Sequence, residues 1–252
     1  MRRLAIANQK GGAGKTTTAV NLAAALAARG RKVLVVDLDP EASASVWLGV
    51  RDGGRSLLET FTSGAALAVR DTAVPGVSLV PSSAWLVGAE KALASEAGAE
   101  TILKLALERL PGTFGYALLD CPPALGVLTV NALAAAGELL APVEASLLAV
   151  DGLIRLLDTV RLVQERLNPK LRLAGVLASK VDGRTRLAQD VVALLRERYP
   201  QQTLKTVIRE NVRLGEAYAA QKPITTYDPH SAGAEDYRKL AAEIIRMETN
   251  KP

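Results

Sequence analysis

The stretch that constrains this chain most is LAIANQKGGAGKTTTAVNLAAALA, close to its first residue: an aliphatic run of strand type, a turn with three glycines, then a run of helical period. A glycine-rich turn between a strand and a helix is suited to holding phosphate. Gly11, Gly12 and Gly14, with Ala13 among them, let backbone amides close around phosphate oxygens, and the start of the following helix adds partial positive charge. In such a loop Lys15 bridges the β and γ phosphates of a nucleotide, the Thr16 hydroxyl ligates Mg²⁺, and Thr17 helps hold the α phosphate. The spacing is not the usual one. A glycine belongs five places before Gly14, and that position is Gln9. A second lysine, Lys10, stands directly before the glycines and has no role in an ordinary phosphate loop.

Downstream, short Val-, Leu- and Ile-rich runs alternate with longer segments of helical period, the pattern of a mostly parallel sheet covered by helices. Strands are expected at RRLAIAN, KVLVVDLD, VSLVPS, YALLD, ELLAPV, RLAGVLAS and LKTVI, and helices over 15–29, 84–97, 101–110, 153–167, 187–199 and 232–247. The expected fold is α/β, a three-layer, doubly wound, mostly parallel sheet of the P-loop NTPase kind. With 252 residues, 49% hydrophobic and 4% aromatic, the chain is expected to form one domain over 1–252 around an aliphatic, alanine-rich core. The glycine-punctuated stretch 51–76 has no assigned element.

Two runs place carboxylates at strand ends. KVLVVDLDPEA closes on Asp37 and Asp39, which share a face because strand residues two apart do. YALLDCPP closes on Asp120, a run of aliphatics ending in an acid that associates with Mg²⁺, and Pro122 and Pro123 stiffen the turn behind it. The C-terminal edge of a parallel sheet beside a phosphate loop is where metal and water chemistry belongs. Cys121, the single cysteine, rules out an internal disulfide and reads as a buried filler. The lone His230 reads as a turn residue, and Trp47 and Trp85 as packing or interface residues.

KGGAGKTTT, with Lys10 ahead of its glycines, resembles the deviant Walker A motif of the ParA/MinD superfamily, closest in wording to its ParA/Soj branch. The resemblance continues through DCPPALGVLTVNAL, LLAPVEASLLAVDGLIRLLDTVRLV, GVLASKVDGRTRLAQDVV, TVIRENVRLGEAYAAQKPITTYD and HSAGAEDYRKLAAEI, so it spans essentially the whole chain. It implies an Mg²⁺-dependent ATPase in which Lys10 reaches across a nucleotide-sandwich homodimer to the partner's phosphates, a cation supplied in trans. It also implies that Asp39 orients the attacking water, that Asp37 supports the Mg²⁺ shell, and that Asn211 lies near the adenine. Two departures stand out. The family's usual Gln-Gly-Asn is Glu41-Ala42-Ser43 here, and its Pro-Arg-Asn is Arg209-Glu210-Asn211.

Net charge is +5, and the window 180–222 alone holds nine basic and five acidic residues. A polyanion partner and a merely solvated face are both readings of that window. Under the family resemblance it becomes a surface for non-specific double-stranded DNA, with Arg184 and Arg213 as the main contacts and Arg186 and Lys222 as lesser ones. The implied partners are a second copy of the chain, DNA, and a ParB-like centromere-binding protein. The implied function is segregation or positioning of chromosome or plasmid DNA. A MinD-like membrane-surface ATPase is the alternative, and it calls for an amphipathic helix beyond EIIRMETNKP. A ParA-like positioner of protein cargo is a further one. No secretory signal, no spanning segment and no DNA-binding domain ahead of the loop are expected, which points to a cytoplasmic, nucleoid-associated protein without stable membrane attachment.

Overall fold

The computed structural model describes residues 1–50, 54–93 and 96–249. Seven strands form one sheet: β1 (Arg2–Ile6), β2 (Val33–Asp37), β3 (Arg70–Asp71), β4 (Val77–Val80), β5 (Tyr116–Asp120), β6 (Glu138–Glu144) and β7 (Arg172–Ser179). Their spatial order is β3-β4-β2-β5-β1-β6-β7, and every pair is parallel except β3 with β4. The helices are α1 (Lys15–Ala27), α2 (Ser43–Trp47), α3 (Ser56–Ser63), α4 (Val87–Leu93), α5 (Ile102–Glu108) and α6 (Val127–Ala135). They continue with α7 (Leu147–Arg166), α8 (Arg186–Arg198), α9 (Val212–Ala219), α10 (Ile224–Tyr227) and α11 (Ala232–Thr249). This is the expected three-layer, mostly parallel architecture.

Strand residues alternate between two cores, as the two-residue period of a strand requires. Leu4, Ile6, Val33, Val35, Tyr116 and Leu118 pack under α1, α2, α9, α10 and α11. Ala5, Leu34, Val36, Ala117 and Leu119 pack against α3 through α8. Both faces of the sheet are covered, so its strands are apolar throughout and not alternating. At the N-terminal ends of the strands Arg2 and Arg172 both pair with the buried Glu138, Tyr116 bonds Glu248, and the Arg2 guanidinium donates to the Ile244 carbonyl at 2.6 Å. These contacts fasten α11 to the base of the sheet.

The register then sets the opposite end. Ile6 pairs with Asp120 and Asp37 pairs with Asp120, so β1, β5 and β2 finish level with one another directly below the glycine loop. Pro142 sits inside β6, where a missing N–H would ordinarily break a ladder. Pairing of β6 with β1 ends at Leu140, however, and the Asn8 side chain donates to the Pro142 carbonyl at 2.6 Å.

The expected strand at 204–208 does not form. That segment runs beside β7 and pairs with it at two isolated bridges, Val176 with Thr203 and Val181 with Arg209, and the Ile208 amide donates to the Ala178 carbonyl at 2.8 Å. Between the bridges the amides of Lys205 and Thr206 donate to the Glu243 carboxylate at 2.8 and 2.9 Å, which draws the backbone off the ladder. Leu204 fills the hollow left by Gly175, whose β-carbon would lie 2.6 Å from a Leu204 methyl. Helices α2, α3, α6, α9 and α10 and the short edge strand β3 had no counterpart among the expected elements. The expected helix over 84–97 begins as a tight turn at Ala84–Leu86 and continues as α4, while residues 94 and 95 lie outside the described residues. Among the described residues no helix is long and apolar enough to cross a membrane.

Gly175→Ala should therefore overpack the β7 hollow and lower stability by about 1–3 kcal/mol, read as a lower urea midpoint. Adding Leu204→Ala should recover part of that loss, because the colliding methyl is gone. Strictly additive losses in the double variant would refute the packing account.

Candidate active site

The chain leaves β1 through the buried Asn8, which accepts the Lys10 amide on its carbonyl oxygen at 3.1 Å and so turns the backbone into the loop. Gly12 and Gly14 have φ of 74° and 89°, in the left-handed region that side chains disfavour. The Ser179 hydroxyl at the end of β7 donates to the Ala13 carbonyl at 2.7 Å and pins the loop from the side. The first hydrogen bond of α1 runs from the Thr18 amide to the Gly14 carbonyl at 2.8 Å. No side chain caps the helix and no acid stands in its first turn. The amides of Lys15, Thr16 and Thr17 thus have no partner within the helix and open toward a cleft of about 390 Å³, an anion site by geometry and by helix dipole.

Lys15 is buried at the mouth of α1, its ammonium donating to the Lys10 carbonyl at 3.4 Å. Burial lowers its pKa, opposed by the nearby charges of Asp120 and Asp39. Asp120 is fully buried, and neither of its oxygens meets a hydrogen-bond donor at bonding geometry among the described residues. Desolvation raises its pKa well above the ordinary value and the adjacent Asp37 raises it further, while Thr16 and Lys15 pull the other way. An orphaned carboxylate beside Thr16 is what a divalent cation needs on its protein side: Mg²⁺ takes one or two such ligands and fills its octahedron with water and phosphate oxygens. The residues therefore fit ATP and Mg²⁺. When bound, the metal neutralises charge on the phosphates.

Asp37 is placed differently. Its Oδ2 accepts both the amide and the hydroxyl of Ser45, at 2.8 and 2.7 Å, and its Oδ1 accepts the Asp39 amide at 3.1 Å. Both oxygens are thus engaged in holding α2 and the turn before it, which leaves Asp120 as the unengaged carboxylate of the two acids expected at Mg²⁺. Burial still pushes the Asp37 carboxyl up to about 6. Asp39 lines the cleft with Glu41 and Ser43, its Oδ1 accepting the Glu41 amide at 3.0 Å.

Beyond Thr16 and Thr17 the cleft opens into a second cavity of about 480 Å³ walled by Trp47, Asn211, Tyr218 and Tyr237. Asn211 caps α9, its Oδ1 accepting the Arg213 amide at 2.9 Å. Trp47 donates from Nε1 to the Lys222 carbonyl at 2.8 Å and meets Tyr218 edge to face, ring centroids 5.3 Å apart. The cavity suits a flat base at the end of the phosphate groove.

Lys10 lies outside the cleft. Its ammonium is held where β6 meets α7, by Glu144 at 2.5 Å and the Ser146 hydroxyl at 3.1 Å. The four basic residues expected at a DNA surface also stand apart from the cleft's phosphate end. Arg184 is 89% exposed and bonded to Asp182 through Nε at 2.9 Å. Arg213 pairs with Glu216 at 2.7 Å. Arg186 and Lys222 are exposed. The bridge of Val181 to Arg209 brings the Arg184 turn beside the start of α9. Sequence reasoning missed Ser45, Glu144 and Ser179, single polar residues whose partners are distant in the chain.

The loop, the uncapped helix and the level carboxylates define a phosphate-loop ATPase using ATP and Mg²⁺. A model of the AAA domain family matches residues 1–173. The chain is 48% identical over 247 residues to the chromosome-partitioning ATPase Soj of Thermus thermophilus, covering 97% of this chain and 96% of that one. It is 43% identical over 245 residues to the sporulation initiation inhibitor protein Soj of Bacillus subtilis, covering 96% and 97%. A crystal structure of cobyrinic acid a,c-diamide synthase from Mycobacterium smegmatis with bound ATP analogue and magnesium superposes with a TM-score of 0.87, at 36% identity over 99% of this chain and 96% of that one. The chain belongs to the ParA/Soj family of chromosome-partitioning ATPases.

Burial raises both the Asp37 and Asp120 pKa values above their unfolded range, so the folded chain holds protons that the unfolded chain releases. Stability of the nucleotide-free protein should therefore fall as pH rises from about 4, the unfolded value, through 6 and above. Asp120→Asn should melt higher than the parent at pH 8, by roughly 2–4 °C for each kcal/mol of buried charge relieved, and should lose Mg²⁺-dependent ATP hydrolysis. Calorimetry without nucleotide checks this, and equal melting at pH 8 would refute it.

Proposed function

We propose that this chain, acting over 1–252 as one ATPase domain, is a partition switch. ATP binding joins two copies, the pair binds double-stranded DNA without sequence preference, and hydrolysis releases it. The cargo is a chromosome or plasmid marked by a ParB-like protein, and the site of action is the nucleoid in the cytoplasm. The observation that carries this reading is the position of Lys10. Its ammonium is kept outside its own phosphate cleft on a half-exposed ion pair, free to be handed to a neighbouring molecule. Within the copy, Lys15 neutralises the phosphates, the first-turn amides hold them, Thr16 and Asp120 hold Mg²⁺, and Asp39 orients water.

Support for DNA as the polyanion comes from the basic window and from the relatives named for chromosome partitioning. Contacts to phosphate need charge and no base readout, which fits Arg184, Arg186, Arg213 and Lys222 on an exposed face. The likeness to a structure named as a diamide synthase favours a second reading, a metabolic enzyme on the same fold. Such an enzyme has no use for a lysine presented in trans or for ATP-dependent DNA affinity.

Binding to unrelated duplex DNA with ATP, with ADP and without nucleotide, across a salt series, separates the two. Tight and salt-sensitive binding with ATP alone is expected. Absence of DNA binding in every state, with dimers still forming, would overturn the DNA switch and point to membrane or protein cargo.

Lys10→Ala should bind ATP about as well as the parent and fail to dimerise on a sizing column; persistent dimers would remove the trans-lysine account. Asp39→Ala should bind ATP, stop hydrolysing it and accumulate on DNA as a dimer, a result excluded if its turnover equals that of the parent.

A further inference from the structure

One basic residue of the 180–222 window does not belong with the others. Lys180 follows β7 directly, and its ammonium lies over the glycine loop: a β-carbon on Gly12 would sit 3.6 Å from Lys180 Nζ. The side chain lines both the 390 Å³ phosphate cleft and the 480 Å³ cavity, at the stretch the two share with Gly14, Thr16 and Thr17. Its placement is fixed by its neighbours. Ser179 on one side bonds the Ala13 carbonyl, and Val181 on the other bridges to Arg209. Lys180 itself has φ of 51°, the left-handed region in which a residue with a β-carbon is strained. The ammonium has no ion pair or hydrogen bond among the described residues, whereas Arg184, Arg209 and Arg213 of the same window are each paired with acids.

We infer that Lys180 is a nucleotide-binding residue, a second cis cation that contacts the α and β phosphates from the side of the loop opposite the helix, and not part of the polyanion surface. This rests on reading the glycine loop as the ATP cradle. Three features of the site support it. Phosphate in the cleft would meet uncapped amides from α1 and the buried Lys15, and Lys180 is the further cation that the end of β7 adds to the same lining. A free ammonium at that position supplies a charge-assisted hydrogen bond at the junction where phosphates give way to the base. An unpaired cation held by a strained backbone over an anion cradle is otherwise without a purpose in the fold. Contact at the α and β phosphates, the part common to ATP and ADP, makes it a general nucleotide anchor and leaves nucleotide discrimination to Lys10 and Lys15.

The test is calorimetric titration of Lys180→Met with a non-hydrolysable Mg·ATP analogue, Mg·ADP and adenosine, together with duplex DNA binding by the ATP-bound form at saturating nucleotide. Met keeps the length of the side chain and removes the charge. Kd for the ATP analogue and for ADP should rise alike, by about ten-fold, with adenosine unchanged, and Lys180→Arg should recover part of the loss. Equal weakening toward adenosine would mean a damaged pocket and overturn the assignment, as would a loss confined to the ATP analogue. Unchanged nucleotide affinity with weaker DNA binding would return Lys180 to the polyanion face. Lys15→Ala separates this inference from its premise. If that variant keeps full affinity for ADP and the ATP analogue, the phosphate-loop reading itself fails; if it loses them while Lys180→Met does not, only the role of Lys180 fails.

Discussion

Asp120 carries a carboxylate with no exposure and, among the described residues, no donor at bonding geometry, in register with Asp37 on β2 and Ile6 on β1. Left alone, a group of this kind is among the costlier things a fold can contain. What makes it tolerable is its surroundings: Lys15 and Thr16 favour its charge, and a raised pKa lets it hold a proton while the cleft lacks nucleotide. The sheet register is what forces the arrangement. Parallel strands that finish level must present their terminal side chains to one point, and the loop after β1 must arch over it. The Mg²⁺ role proposed for Asp120 and the destabilising effect of its burial are thus two expressions of one placement, so a substitution that relieves the burial would remove the proposed metal ligand.

From this point a second set of contacts leads outward. Asp37 grips α2 through Ser45, whose hydroxyl in turn accepts the Ser82 amide at 2.9 Å beyond the end of β4. At the other end of α2, Trp47 reaches the Lys222 carbonyl and Tyr218 on α9. A five-residue helix therefore spans from the carboxylates to the basic surface. The departures from the family pattern fall on this span. Ala42, where the family usually has glycine, has φ of 54° and so carries strain three residues after Asp39, at the start of α2. Arg209 stands where the family has proline, and its amide donates to Asp236 at 3.0 Å, a bond proline cannot make. Its guanidinium also pairs with Asp236 and Glu235, so this cation is spent on holding α11.

Most of the sheet was legible because a strand covered on both faces is an unbroken aliphatic run, and six of the seven expected runs are strands. The helices that escaped did so for physical reasons. In α6 nearly every side chain is buried, so VLTVNALAA has no polar face to give it a helical period. Helices α2, α9 and α10 are five, eight and four residues long, too short for a period to register. The false strand at 204–208 has the right composition, and it was Glu243, remote in sequence, that took the amides of Lys205 and Thr206 in its middle. The glycine loop and the strand-end acids were legible as local patterns. Which acid stands free and which is engaged was not, because Ser45 lies eight residues beyond Asp37 in a five-residue helix too short for a pattern to specify.

The same distinction governs Lys10. Its partners, Glu144 and Ser146, are brought to it by the pairing of β1 with β6. The lysine side chain is 33% exposed and the glutamate 29%, so the pair is partly screened and worth about 0.2–1 kcal/mol. A fully buried pair would cost several kcal/mol to break and would fix the lysine in its own chain. A fully exposed lysine would sample many rotamers and give up that entropy on meeting a partner. The half-exposed pair avoids both penalties. It holds the ammonium at the edge of the cleft at a cost low enough to break, which is what the proposed hand-over to a partner's triphosphate requires.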